Sequence, residues 1–164
     1  MTEYRVEVHQ VKPGNKQYSE LKHLCFLSKN LYNSTLYAVR QHFFDHKKYL
    51  NYYEVNAKFA HSDQPDYRAL PAKVAQHTQM LVDKNFKSFF ALLKNKDIKP
   101  KIPGYLPKNG YQTVHYDKQV LSFKTGKIRL SKTNIYINSQ TPKDRVKFVR
   151  VVPRGNHIRL EVGY

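Results

Sequence analysis

The sequence predicts an α+β fold in which a small antiparallel β-barrel carries an inserted bundle of three helices. Three observations lead there. Apolar residues recur at helical spacing from residue 19 to residue 93. They switch to strand-like alternation from Tyr111 onward. A lone alternating segment at the N-terminus has no strand partner near it in sequence, so it must pair with the distant C-terminal strands.

The first element is residues 3–11, EYRVEVHQV. Tyr4, Val6 and Val8 alternate with Arg5, Glu7 and His9, as in a half-buried strand that Pro13-Gly14-Asn15 terminates. A long helix follows, with Ser19 as its expected N-cap and Glu20 in the first turn, where a carboxylate suits the helix dipole. Leu21, Leu24, Cys25, Leu31, Tyr32, Leu36, Val39 and Phe43 form its apolar stripe. Lys22, Lys29, Asn30, Asn33 and Arg40 form the opposite face, and the helix ends near His46 before Lys47-Lys48. Asn51 and Glu54 have the spacing of a capping box and open a shorter helix with Tyr52, Val55 and Phe59 on its apolar side. Residues 61–65 read as a loop. The third helix is expected to begin with Pro71 at its first position, where a missing N–H costs nothing. Val74, Ala75, Thr78, Leu81, Val82, Phe86, Phe89, Phe90 and Leu93 make its wide stripe.

Residues 94–108, KNKDIKPKIPGYLPK, are rich in Lys, Pro and Gly and mark a boundary. Beyond it, YQTVHY, VLSF, KIRL, NIYIN, RVKFVRVV and HIRLEVGY are short β-rich runs. Thr125-Gly126, residues 131–134, Thr141-Pro142 and residues 154–156 separate them. Apolar residues flank Arg129, Lys147 and Arg159, so one face packs while the other is basic. The expected organisation is a barrel from residues 1–14 and 101–164, with residues 15–100 as the inserted helical domain.

The 164-residue chain has 29 Lys+Arg against 12 Asp+Glu, a net charge of +17. That excess attracts polyanions. A bilayer-spanning role is excluded, since no apolar run approaches the roughly 20 residues required. The cations are spread along the chain rather than gathered on one amphipathic helix, which argues against membrane-surface binding. With 13 Tyr and nine Phe, the chain also has many rings that could stack on bases. The single cysteine, Cys25, rules out an internal disulfide and fits a reducing cytoplasm.

No acidic residues cluster in a pattern fit for a two-metal nuclease, so no catalytic residue is assigned. His42 and His46 share a helix face at i, i+4, but no Glu follows His42 as in zinc proteases. Cys25 lies on an apolar stripe, and no His-x-His motif accompanies a tyrosine nucleophile. Neither metal ligands nor a cofactor are assigned. The recurrence of Lys and Arg on helices, linker and strands favours a continuous phosphate-tracking surface, with Lys84, Lys87, Lys99, Lys101, Lys108, Arg129, Lys147 and Arg154 as backbone contacts.

At the third helix the pattern becomes specific. LPAKVAQHTQMLVDKNFKSFF (residues 70–90) resembles the N-terminal region of the TnpB, or OrfB, family of transposon-encoded RNA-guided DNA endonucleases, related to type V CRISPR effectors. HLCFLSKNLYNSTLYAVRQHFF (residues 23–44), YLNYYEVNAKF (residues 49–59) and KPKIPGYLPKNGY with the strands after it are similar to the family's preceding helices, basic linker and β region. The resemblance implies a wedge-type barrel with an inserted recognition domain. It also implies guide RNA and double-stranded DNA as partners, and the reading of a short adjacent DNA motif. On the matching positions, Gln76 is the expected base reader, with Ala72 facing a thymine methyl, Lys73 donating to phosphate or base, and Tyr52 as an aromatic counterpart. Tyr116 and Asp117 fall where the family places strand contacts, with different identities.

Family members continue into a RuvC-like nuclease domain, whereas this sequence stops at Tyr164. The expectation is therefore recognition without catalysis, in the cytoplasm and associated with the nucleoid. A separate RuvC-like chain or a second copy is the expected protein partner. Two rival readings remain: a stand-alone helix-based DNA-binding transposition regulator, and an assembly subunit for a separately encoded nuclease half.

Overall fold

The computed structural model describes residues 3–164. It is α+β, with four helices and two antiparallel sheets. Strand β1 (Val6–Val11) leads into helix α1 (Tyr18–His46), followed by α2 (Tyr52–His61), the single turn α3 (Pro65–Arg68) and α4 (Ala72–Leu93). After the linker come β2 (Val114–Asp117), a 3₁₀ turn (Lys118–Val120), β3 (Leu121–Ser122), β4 (Ile128–Leu130), β5 (Tyr136–Ile137), β6 (Phe148–Arg154) and β7 (His157–Gly163).

The N-terminal strand finds its partner at the far end of the chain. β1 runs antiparallel to β7 from Val6–Gly163 to Val11–Ile158, and the larger sheet has the order β1-β7-β6-β2. The strands do not close into one barrel. β3-β4-β5 form a separate three-stranded sheet, because the runs between β2 and β6 are only two or three residues long and pair among themselves. The alternation holds in β4, where Ile128 and Leu130 are buried and Arg129 is exposed, and at the start of β7, where Ile158 and Leu160 are buried. Around Lys147 it is corrected: Val146 and Lys147 precede β6, and Phe148 lies on the outer face with His115 and Arg150 rather than in the core. The turn at residues 154–156 places Gly155 at φ 51°, a left-handed conformation that glycine adopts without steric cost. Gly163 has a different reason. It lies across from Phe148, and a Cβ there would collide with the Phe148 ring.

The capping box at Asn51 and Glu54 forms as expected, with the Asn51 side chain accepting from the Glu54 N–H and Glu54 accepting from the Asn51 N–H. Helix α1 ends at His46, where Lys47 turns left-handed at φ 55°. Three local expectations are corrected. Gln17, not Ser19, caps α1, because Asn15 and Gln17 form a turn that starts the helix earlier. Pro71 is the cap of α4 and Ala72 its first residue: Pro71 is extended at ψ 142° while its carbonyl accepts from the Ala75 N–H. Residues 65–68 are a helical turn, with Pro65 at its start and Gln64 capping the Tyr67 N–H.

One core joins bundle and sheet. Leu21, Leu24, Leu31, Leu36 and Val39 of α1 belong to the same buried cluster as Val74, Val82 and Phe86 of α4 and Val149, Val151 and Leu160 of the sheet. At its start α1 also holds the smaller sheet: the Gln17 amide bonds both the N–H and the carbonyl of Tyr136, and Glu20 accepts from the Asn134 N–H.

Candidate nucleic-acid interface

Helix α4 carries the residues expected to read bases, so what orients it matters first. Its buried face is not wholly apolar. Ser28, Tyr32 and Thr35 recur along one side of α1 and meet Thr78 at 2.9 Å, Asn85 at 2.7 Å and Gln79 at 3.5 Å on α4. Directional bonds of this kind set the rotation of a helix more sharply than apolar contact does. The rotation leaves Ala72 and Lys73 exposed and Gln76 partly exposed on the first turns.

Tyr52 is partly buried at the start of α2, and its N–H donates to Asp83 at 3.2 Å. Asp83 lies seven residues beyond Gln76 and therefore on the same stripe of α4. Asp83 also accepts from the Tyr49 hydroxyl at 2.5 Å and pairs with Lys87 at 2.8 Å. Burial alone would raise its pKa, but the Lys87 ammonium and the two other donors hold the carboxyl below its ordinary value. Lys87 thus has its charge partly neutralised within the fold, while Lys84, the residue after Asp83, forms no ion pair.

The two strand residues separate. Tyr116 is fully buried, with its hydroxyl 3.5 Å from the Ser131 carbonyl, and burial raises its pKa. It faces the core because its neighbours on β2 alternate, so it cannot touch a bound duplex; this corrects its expected placement. Asp117 points the other way and reaches α4. It accepts from His77 Nε2 at 2.8 Å and from His115 Nε2 at 3.2 Å, and the two imidazoles lie against each other at a tilt of 38° with centroids 4.1 Å apart. His115 also stacks on Phe148, with centroids 5.1 Å apart. Burial, together with the neighbouring His77 charge, holds His115 below its ordinary pKa, while Asp117 is lowered by the two histidines against the opposing effect of burial. A neutral imidazole and an ionised carboxylate are both metal-competent donors, and these three side chains are the ones among the described residues whose donor atoms converge.

These histidines border a cleft of about 480 Å³ between α4 and β2, which Lys84, Gln112, Thr113 and Arg150 also line. Arg150 lies over the Phe148 ring, 4.8 Å from its centroid, and it and Arg159 both approach Glu161, at 3.4 and 3.9 Å. The outer face of the larger sheet is therefore continuous with the start of α4.

The expected backbone contacts Lys84, Lys87, Lys99, Lys101, Lys108, Arg129, Lys147 and Arg154 are all exposed. The polar face of α1 is different: it is covered. Lys29 is 3% exposed, and its ammonium donates to the Lys108 carbonyl at 2.7 Å while lying over the Phe26 ring. Asn33 donates to the Leu106 carbonyl and accepts from the Leu106 N–H. Arg40 packs on Tyr105, and the Cys25 carbonyl accepts from the Gln112 N–H. Residues 105–112 thus run antiparallel along α1. Cys25 itself is buried, and burial pushes its thiol up to about 12, far from a useful nucleophile.

Sequence reasoning missed three features of this region. The docking of the linker was carried by polar α1 residues that read as a solvated face. His115 and Asp117, two apart on a strand, had the spacing of a shared face, but only the fold adds His77. Arg150, between Val149 and Val151, had the alternation already read around Arg159. No protein-family model matches the chain, and no curated protein is significantly similar to it. Among the described residues, no helix is long and apolar enough to cross a membrane.

Proposed function

We propose that the chain is the nucleic-acid-binding recognition part of a TnpB-like RNA-guided DNA-targeting system, a wedge-type sheet region with an inserted helical recognition bundle. One observation carries the nucleic-acid reading. Among the described residues, only four of the 29 Lys and Arg, namely Arg68, Lys87, Arg150 and Arg159, form ion pairs. Folding consumes the acids instead. Glu7, Glu20, Glu54, Asp63, Asp66, Asp83, Asp117 and Glu161 each have an internal partner. Lys29 apart, which is buried, most of the remaining cations are exposed and left for an external polyanion, and phosphates spaced along a backbone suit their spread.

The RNA-guided reading rests on the ordered resemblance of four sequence blocks and on Ala72, Lys73 and Gln76 standing accessible at the start of α4. In this division of labour the protein reads a short motif and backbone shape, and base pairing with RNA reads the target. The chain's own part is binding rather than cleavage, since eight of its twelve carboxylates serve the fold. Guide RNA and double-stranded DNA are the partners, with a RuvC-like nuclease chain or a second copy beside them. The experiment is purification from the native host followed by sequencing of bound RNA. One defined RNA species supports the reading. Its absence, with specific duplex binding retained, favours a plain DNA-binding regulator instead.

A further inference from the structure

We propose that His77, His115 and Asp117 form a binding site for one divalent transition-metal ion of the zinc type, which clips α4 to β2. The inference rests on geometry alone and is independent of the nucleic-acid reading. Two imidazoles and one carboxylate are a donor set that zinc, cobalt and nickel ions accept. The three donor atoms all lie within 4.8 Å of one another. The nitrogen–oxygen separations of 2.8 and 3.2 Å are close to the edge of a tetrahedron around zinc, about 3.3 Å for bonds of roughly 2.0 Å. An ion can therefore enter with small rotations of side chains already aimed at one point.

The ligands are held from both sides. His115 and Asp117 are two apart on β2 and share its outer face. The His115 ring packs against both Phe148 and His77, and Phe148 in turn meets Tyr4 edge-on at 5.5 Å. His77 arrives from α4, whose rotation the Ser28–Thr78 bond sets one residue further on. All three side chains keep part of their surface exposed, between 26% and 39%, so an ion can reach them from the cleft. Lys84 and Arg150 line the same cleft and favour an anion or water, not a further protein cation, at the remaining coordination position. The consequence is mechanical. A clip at His77 would hold the turn of α4 that carries Gln76 against the sheet.

The competing arrangement is a metal-free bridge, in which one carboxylate simply accepts from two histidines. Titration of the tag-free, chelator-stripped full chain with Co²⁺, followed by displacement with Zn²⁺, separates the two. The metal site predicts one Co²⁺ per chain with the intense visible absorption of low-coordinate cobalt, bleached by Zn²⁺. Affinity should fall by at least about tenfold in His115→Ala and in Asp117→Asn, and should stay unchanged in a variant with His42→Ala and His46→Ala. Because the sheet variants could misfold, Zn²⁺ should also be added to the wild-type chain while its histidine ring resonances are followed. His77 and His115 should shift together at one equivalent. No cobalt spectrum, several weak ions per chain, or binding that disappears with His42 and His46 would each overturn the proposal.

Discussion

Lys29 on α1 donates its ammonium to the backbone carbonyl of Lys108 at 2.7 Å. Two lysines that look alike in the sequence thus have opposite fates: one is buried and holds the chain, the other keeps its charge in solvent. The contact is one of a row, with Asn33 and Arg40, that fastens residues 105–112 along α1.

That row makes the linker part of the folded unit. Asn33→Ala removes both bonds to Leu106 and leaves a partly buried backbone pair without partners, so stability should fall by about 1–3 kcal/mol. Hydrogen exchange should accelerate at Leu106 and its neighbours while the β6–β7 amides stay protected. Uniform acceleration would mean that the linker has no local hold on α1.

Gln76 stands partly exposed on the first turns of α4 beside the exposed Ala72 and Lys73. If it reads adenine, Gln76→Ala should cost about 1–3 kcal/mol against the preferred duplex and level the preference at one position. Lys73→Ala should weaken all sequences alike. A panel of base-substituted duplexes measures both, and an unchanged preference in the Gln76 variant removes it as a reader.

Glu7 supplies the clearest pH dependence. Burial by itself would raise its pKa, but the N–H groups of Gln140 and Thr141 and the hydroxyls of Ser139 and Thr141 bring it down to about 2 from 4.5. A carboxyl depressed on folding stabilises the native state above its unfolded pKa, so the contribution is complete near neutrality. It is lost as pH falls from 4.5 towards 2, and amounts to about 3 kcal/mol in full. Chemical denaturation of wild type and Glu7→Gln should show a gap that is constant above pH 5 and narrows through this acidic window. A gap independent of pH would refute the role given to the carboxylate.

Much of the fold was legible because it rests on local chemistry. The Asn51–Glu54 box, the end of α1 near His46 and the alternation around Arg129 each follow from a few adjacent residues. The pairing of β1 with the C-terminal strands was legible by elimination, since no nearer strand existed. Closure into a barrel was not, because alternation specifies a face and says nothing about which strands stop short. The site was legible in part. Exposure of Lys73 and Gln76 followed from the helical stripe. Tyr116 misled because a resemblance in position does not carry the face that its strand turns to the core. His77 joins the site only through tertiary packing, 40 residues from its partner.

The measurement that bears most directly on the central claim is the salt dependence of binding to duplex DNA and to RNA, followed by anisotropy across a series of ionic strengths. Six or more phosphate contacts among the uncompensated lysines and arginines predict a log–log slope of about −5 or steeper. Replacing Lys84, Lys99 and Lys101 together by alanine should make it shallower by roughly one unit per lost contact. A steep slope that relaxes in this variant is the predicted result. A flat salt response, or a slope indifferent to these lysines, would contradict the account.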